Sequence, residues 1–454
     1  QKELLDYNYK NDLYAEFKRF IHGIENYSLE GPINISYTDL KLDPEVYAER
    51  DKKYNVTKES IQNDPSINNA IPVQFNSDGS LKYTFDNIYE NKFGIMNSIF
   101  ENTRVAFASK TDLELRKSYW LFRLIASPLL NKIGTLSVQI LLKLGAPIEG
   151  LIRSTMFSHF CVGTSLEESQ LVVKKLKKIN VDSCLNYSIE GVKSEIGFEK
   201  SLDQTLKILA ISDSNLGSPF VVLKPTGFGA ISLFKKVSES IKLSSSEIEA
   251  WERVKKRFQI CCVKAVQRNV KILVDAEESW IQPALDNLVE DLMETYNKEN
   301  IIVYATIQMY LSNRLPYLKS LLIKAEKTGY QVGIKLVRGA YIEKEIAYAQ
   351  INKLPKPVCP SKEATDINFD KALNLLLKNL SNVAVFVGSH NEESTLKALH
   401  QMDTQEIAKN HPRICFAHLY GMSDNISYNL ADQGYNVVKY LPYGPIKRVV
   451  PYLI

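Results

Sequence analysis

The fold class this sequence predicts is α/β, a distorted (β/α)8 TIM-like barrel carrying an N-terminal helical and irregular appendage. Three observations predict it. Eight short β-branched or apolar runs recur from residue 181 onward, segments with helical spacing separate most of them, and polar residues follow almost every run. A chain of 454 residues that is 45% hydrophobic and 24% charged has globular proportions, which excludes a disordered or collagenous protein.

The runs are Val181–Tyr187, Phe220–Leu223, Val270–Val274, Ile301–Ile307, Val332–Val337, Val383–Val387, Ile414–Leu419 and Val437–Leu441. Helical spacing is read over Ser245–Val266, Ala284–Tyr296, Tyr317–Lys327, Phe369–Leu380 and Glu393–Met402. Eight strands in alternation with helices are the number that closes a barrel. A doubly wound open sheet is the alternative. It usually carries a glycine fingerprint after its first strand, and none stands there. Gly227-Phe-Gly229 lacks the third glycine and reads as a strand-to-helix turn.

Ahead of the barrel, residues 1–26 read as a helix. Residues 27–88 are rich in Asn, Asp, Ser and Tyr and are broken by Pro32, Pro44, Pro65 and Pro72. The expected division is therefore an appendage over 1–88, a helical region over 89–175 and the barrel over 176–454. The apolar stretch Tyr119–Leu130 contains Arg123 and Pro128 and is too short to span a bilayer. From Arg104 to Arg153 eight basic residues face three acidic ones. Two readings compete there: helices resting on an anionic membrane surface, or helices packed on a core with basic outer faces. The whole chain holds 56 basic and 52 acidic residues, too even a balance for nucleic-acid binding by charge. Its six cysteines have no CxxC spacing and mostly lie in apolar runs, so buried thiols in a reducing compartment are expected.

In a barrel the C-terminal strand ends share one mouth, so polar residues just past each run are the candidates for chemistry. They are Lys224 after the second run, Asp275, Ala276, Glu277 and Glu278 after the third, and Gln308 in the fourth. The fifth contributes Lys335, Arg338, Tyr341, Glu343 and Glu345; the sixth Ser389, His390 and Asn391; the seventh His418 and Tyr420; the eighth Tyr440 and Tyr443. Any one of them reads most simply as a solvated rim residue. Seven strands ending this way call for a shared ligand, because burying unpaired charge is costly. Lys224, Lys335 and Arg338 suit an anion, with Asp275 and Glu277 to orient them. No metal is expected: His390 and His418 lack an i, i+4 partner, and the chain has no HExxH or paired CxxC. A Schiff-base lyase using Lys224 or Lys335 stays open at this point.

Four segments carry a resemblance: KLVRGAYIEKE from Lys335, VDAEESWIQPA around Asp275, GSHNEEST around His390, and YGM, QGY and VVKYLPYGP up to Pro445. Together they resemble the proline dehydrogenase family, in register from about residue 90 to the end. The resemblance implies a barrel that holds FAD without a dinucleotide-binding domain. It implies oxidation of L-proline to Δ1-pyrroline-5-carboxylate, the first step of proline catabolism, by hydride transfer from C5 to flavin N5. Electrons would pass to a membrane quinone and the product to a pyrroline-5-carboxylate dehydrogenase. Peripheral contact with a respiratory membrane would follow, on a bacterial cytoplasmic face or the mitochondrial matrix side.

Carried over by position, Lys335 takes the place of the basic residue beside flavin N5. Gln308, Arg338, Gly339, Ala340, Ser389 and His390 fall on flavin-contact positions, with Ala276 a backbone contact. Lys224 and Asp275 fall in the reacting pocket together with Tyr341, and Leu336 near the proline ring. Tyr440 and Tyr452 match tyrosines that pack over that ring, and Glu190 in NYSIEG matches an acidic gate. A large phenol at Tyr440 favours proline over trans-4-hydroxyproline. In the family two arginines follow Pro-Tyr-Leu-X and clamp the substrate carboxylate. This sequence stops at Ile454, so the expectation is a barrel lacking its last helix, an incomplete view of a longer chain. The competing functions are hydroxyproline dehydrogenase, the Schiff-base lyase and a non-catalytic flavin-binding protein.

Overall fold

The structure, a computed structural model, describes residues 99–108, 110–125, 149–187, 192–446 and 449. Eight parallel strands close a barrel in the order β1 to β8: Val181–Tyr187, Phe220–Leu223, Lys271–Val274, Val303–Gln308, Val332–Val337, Val383–Gly388, Ile414–Leu419 and Val437–Tyr443. Every predicted run is a strand, with shifts of one or two residues at the ends. Closure is uneven. β1 and β8 pair over seven residues, from Val181↔Val437 to Tyr187↔Tyr443, whereas β1 and β2 pair only at Cys184↔Phe220 and Leu185↔Val221.

Side chains on a strand alternate between the two faces, so the residues filling the barrel identify those that rise above them. The floor is Cys184, Phe220, Val222, Leu273, Tyr304, Ala384, Phe386, Cys415, Ala417, Val438 and Tyr440. Phe220 meets Phe386 and Tyr304 edge to face, at ring separations of 5.1 and 5.9 Å, a favoured aromatic geometry. Large rings thus close the bottom of the barrel. Two residues up the same pleat from Val222, Leu273 and Tyr304 stand Lys224, Asp275 and Thr306, at the open end.

The helices cover the outside. Ser245–Arg268 is the longest among the described residues, started by a reciprocal Ser244–Glu247 capping box and ended by left-handed Asn269. Four other helices with predicted spacing run Gln282–Tyr296, Arg314–Thr328, Lys362–Leu377 and Glu392–Thr404. The helix Ile342–Ile351 is an addition to the expected alternation, inserted between β5 and the helix Lys362–Leu377. It absorbs Glu343 and Glu345, which the sequence suggested as strand-end groups. Glu345 is 1% exposed and accepts from the backbone and side chain of Ser279 at 2.7 and 2.5 Å, tying this helix to the β3 loop.

Before the barrel, Asp112–Ile125 is a helix whose Leu115 and Ser118 are buried while Leu113, Arg116, Lys117, Trp120 and Arg123 are exposed. The expected helix over 1–26 and the appendage over 27–88 lie outside the described residues, as do Glu190 and Tyr452. All six cysteines are buried and none forms a disulfide. No described helix is long and apolar enough to cross a membrane.

Candidate active site

Above the aromatic floor the strand ends enclose a cavity of about 550 Å³, within the range of small-molecule and cofactor sites. Twelve of the fifteen residues expected at the site line it: Lys224, Asp275, Ala276, Gln308, Lys335, Arg338, Gly339, Ala340, Tyr341, Ser389, His390 and Tyr440. Glu190 and Tyr452 lie outside the described residues. Leu336 is the exception. The pleat that turns Lys335 into the barrel turns its neighbour the other way, so Leu336 is fully buried outside the cavity wall.

The centre of the site is a three-residue contact. Lys335 Nζ donates to Asp275 Oδ1 at 2.6 Å, and Tyr440 Oη donates to Asp275 Oδ2 at 3.4 Å. The Lys335 ammonium also lies 5.1 Å from the Tyr440 ring centroid, within cation–π range. Strands β3, β5 and β8 thus bring together residues up to 165 positions apart in the chain. Beside them Glu277 turns away from the mouth and accepts from Thr226 N and Oγ1 at 3.2 and 2.8 Å. Burial pushes its carboxyl up to about 7; the Thr226 bonds and Lys224 only partly offset that rise.

A second cluster stands at the ends of β5 and β6. Arg338 donates through Nε to Asp366 at 2.6 Å, through Nη1 to Ser389 at 2.7 Å and through Nη2 to Ser394 at 2.9 Å. Its guanidinium lies 4.5 Å from the Phe369 ring, so the whole fork is held. Lys362 shares Asp366 at 2.9 Å and also lines the cavity. Gly339 follows with φ +133°, where a Cβ would lie 1.6 Å from Tyr310 Cδ1. Only glycine lets the backbone after Arg338 pass that ring.

The third wall holds two neutral imidazoles. Burial lowers His390 to about 3, with Lys439 and Arg338 adding to the shift. His418 falls well below its ordinary value, chiefly through burial. Their Nδ1 atoms pair with Ser423 Oγ at 2.8 Å and Ser427 Oγ at 3.0 Å. Lining residues that escaped the sequence reading include Thr306, Lys362, Thr365 and Met422. Thr306 was within reach, since it shares a strand face with Gln308 two positions on. Lys362 and Thr365 were not, because the inserted helix Ile342–Ile351 hides which later segment returns to the mouth. Among the described residues no group of three His, Cys, Asp or Glu side chains could hold a metal ion.

The proline dehydrogenase family model matches residues 170–454. Relatives include the carbapenem antibiotics biosynthesis protein CarD of Pectobacterium carotovorum subsp. carotovorum, 33% identical over 70% of this chain and 82% of that protein. Mitochondrial proline dehydrogenase 1 of Dictyostelium discoideum is 29% identical over 80% of this chain and 73% of that one. The hydroxyproline dehydrogenase of Rattus norvegicus is 31% identical over 77% of this chain and 87% of that one. Among solved structures, proline utilization A from Bdellovibrio bacteriovorus superimposes with a TM-score of 0.59 at 20% identity, covering 80% of this chain. The match spans only 36% of that longer protein, so this likeness speaks for the fold. The barrel, its converged strand ends and a family match over most of the chain lead to one conclusion: this protein is an enzyme of the proline dehydrogenase family.

Proposed function

We propose that this enzyme oxidises L-proline to Δ1-pyrroline-5-carboxylate with FAD as its cofactor and a membrane quinone as electron acceptor. The observation that carries the reading is the convergence of Lys335, Asp275 and Tyr440 in one cavity, with Arg338 and Lys362 on its rim. When bound, the flavin supplies the two-electron acceptor for the hydride leaving proline C5.

The cavity's own chemistry fits that group. Thr306 Oγ1 is buried in the wall with no hydrogen-bond partner among the described residues, an orphan polar atom that a polar ligand edge would satisfy. Gln308 and Ser389 add polar groups already oriented by the Glu277 carbonyl oxygen, Ala340 N and Arg338, while Phe386, Ala417, Leu419 and Met422 supply apolar surface. Gln308, Ser389 and His390 are the residues we assign to the isoalloxazine, and Arg338, Gly339 and Ala340 to the remainder of the cofactor, with Ala276 as a backbone contact.

Each central residue has a task that its contacts support. Asp275 fixes the Lys335 ammonium in place by a short charge-assisted bond, so a positive charge stands ready where negative charge develops. The same carboxylate orients the Tyr440 ring against the substrate. Lys224 and Tyr341 border the same space and are assigned to the substrate with Tyr440. Tyr440 also favours proline: the phenol occupies volume that a 4-hydroxyl would need. That matters because the rat relative is a hydroxyproline dehydrogenase, which is the second reading.

The exposed face of Asp112–Ile125 sets Leu113 and Trp120 beside Arg116, Lys117 and Arg123, apolar and basic groups of the kind that meet an anionic lipid surface. It is the contact we assign to the membrane carrying the quinone. The product would then pass to a pyrroline-5-carboxylate dehydrogenase.

The test is an absorption spectrum of the purified protein before and after anaerobic proline. Flavin bands that bleach with proline support the proposal. No bands after addition of FAD would sink it and return the Schiff-base chemistry at Lys224 or Lys335 to the front. Faster bleaching by trans-4-hydroxyproline would favour the second reading.

A further inference from the structure

The turn joining β7 to the helix Asp424–Asp432 forms part of the cavity wall through Leu419 and Met422. Within the turn, Met422 N donates to the Leu419 carbonyl oxygen at 3.1 Å. Gly421 (φ +76°) and Ser423 (φ +48°) take left-handed conformations two residues apart, and Ser423 caps the helix without a side-chain bond to it. A left-handed residue other than glycine persists where its surroundings over-determine it.

Four side chains from elsewhere supply that constraint. His390 pairs with Ser423 Oγ, as described above. Lys439 of β8 donates to the carbonyl oxygen of Met422 at 2.5 Å and stands 2.9 Å from Asp424 Oδ1. The other two come from the helical region ahead of the barrel. His159 Nε2 lies 2.9 Å from the Gly421 carbonyl oxygen, and a Cβ at position 421 would fall 2.2 Å from the backbone oxygen of His159. Lys110 Nζ lies 2.7 Å from Asp424 Oδ2.

Asp424 therefore sits between two cations with its side chain 5% exposed, and Lys439 is wholly buried. Burial pushes the Asp424 carboxyl up, but Lys110 and Lys439 outweigh that and hold it well below the usual carboxylate range. Its place in the first turn of a helix, at the positive end of the dipole, acts in the same direction. Lys110 itself does not line the cavity.

We propose that Lys110 is a positioning residue for the cofactor: through Asp424 it anchors the Leu419–Asp424 turn, so that the segment ahead of the barrel sets the shape of the cavity wall. This inference rests on the flavin reading above. The charge imbalance makes Lys110 the right position to perturb. Removing Asp424 strands two cations, whereas Lys110→Met leaves Asp424 and Lys439 as a balanced buried pair and should fold.

The experiment compares the full chain with Lys110→Met and Lys110→Arg by FAD affinity, urea midpoint and amide hydrogen exchange over residues 420–425. In Lys110→Met the FAD dissociation constant should rise about tenfold, as for residues that act through an intermediate contact. The turn should exchange faster, the urea midpoint should stay near wild type, and Lys110→Arg should restore both affected readouts. If Lys110→Met does not fold, Lys110→Gln, which keeps a hydrogen-bond donor, is compared in the same way. Wild-type FAD affinity in the variant overturns the inference. So does a loss of affinity that merely follows a fallen urea midpoint and is not restored by arginine. A wild-type chain that binds no FAD sinks the flavin reading instead. Exchange at the turn then decides alone, faster exchange in Lys110→Met supporting the anchoring role and unchanged exchange overturning it.

Discussion

Gly339→Ala tests the geometry of the site at its most constrained point. Its φ of +133° is a backbone conformation that L side chains rarely adopt, and an added Cβ would meet Tyr310 Cδ1 at 1.6 Å and Cε1 at 1.9 Å. Relief requires the contact to open to at least 3.0 Å, a movement of 1.4 Å by either the backbone or the ring. Tyr310 is 1% exposed and its Oη donates to Glu345, so moving the ring either breaks that bond or intrudes on the cavity it lines. The backbone strain is worth about 1–3 kcal/mol and the overpacking about the same again, for a total loss of roughly 2–6 kcal/mol. Because Arg338 and Ala340 flank the glycine, the movement also displaces the cavity wall, and a shift of about 1 Å at a site can cost 100-fold in rate. The assays are the urea midpoint, FAD affinity and kcat/KM with proline. Adding Tyr310→Ala should make the pair less damaging than the sum of the two single changes, since the shared clash is gone. A Gly339→Ala enzyme with the wild-type midpoint and affinity would refute the reasoning about this turn.

Lys335→Met should keep the barrel and slow flavin reduction by proline about 100- to 1,000-fold, the range for losing one preorganised electrostatic contact; unchanged stopped-flow kinetics would remove Lys335 from the chemistry. Tyr440→Ser should raise the ratio of trans-4-hydroxyproline to proline turnover, and an unshifted ratio would contradict the steric reading of the phenol. Stability should fall as pH drops from 6.5 towards 4. Burial depresses His159 to about 4, His390 to about 3 and His418 well below 6.5, so each takes up its proton in the unfolded chain first. Glu277 works the other way: raised to about 7, it costs stability as pH climbs from 4.5 through 7. Glu277→Gln should therefore gain on wild type at pH 8 and lose that advantage at pH 4; equal denaturation midpoints of the two proteins at every pH would count against this. Flotation with anionic vesicles should be salt-sensitive and weakened by Trp120→Ala with Arg123→Ala; salt-independent behaviour would leave the packed-helix reading of that region.

The barrel and most of its mouth are legible in the order of residues alone. Strand and helix periods are local properties, and buried parallel strands must be apolar along their length, so the eight runs mark themselves. Because those strands are parallel, every carboxyl end falls on one side. That is why Lys224, Asp275, Gln308, Lys335, Ser389 and Tyr440 could be grouped with no knowledge of distance. What the sequence could not specify depends on which face a residue takes and on contacts between distant segments. Leu336 is adjacent to Lys335 and chemically plausible beside a substrate, yet one step along a pleat reverses its direction. Lys362 returns to the mouth only because the helix Ile342–Ile351 intervenes. Asp275 meets Lys335 at 2.6 Å across the closed barrel, from strands β3 and β5 that are not neighbours. Lys110 and Asp424, 314 positions apart, form their 2.7 Å pair through tertiary packing alone. Periodicity is written in neighbours, whereas pairing of charges is decided by closure of the chain on itself.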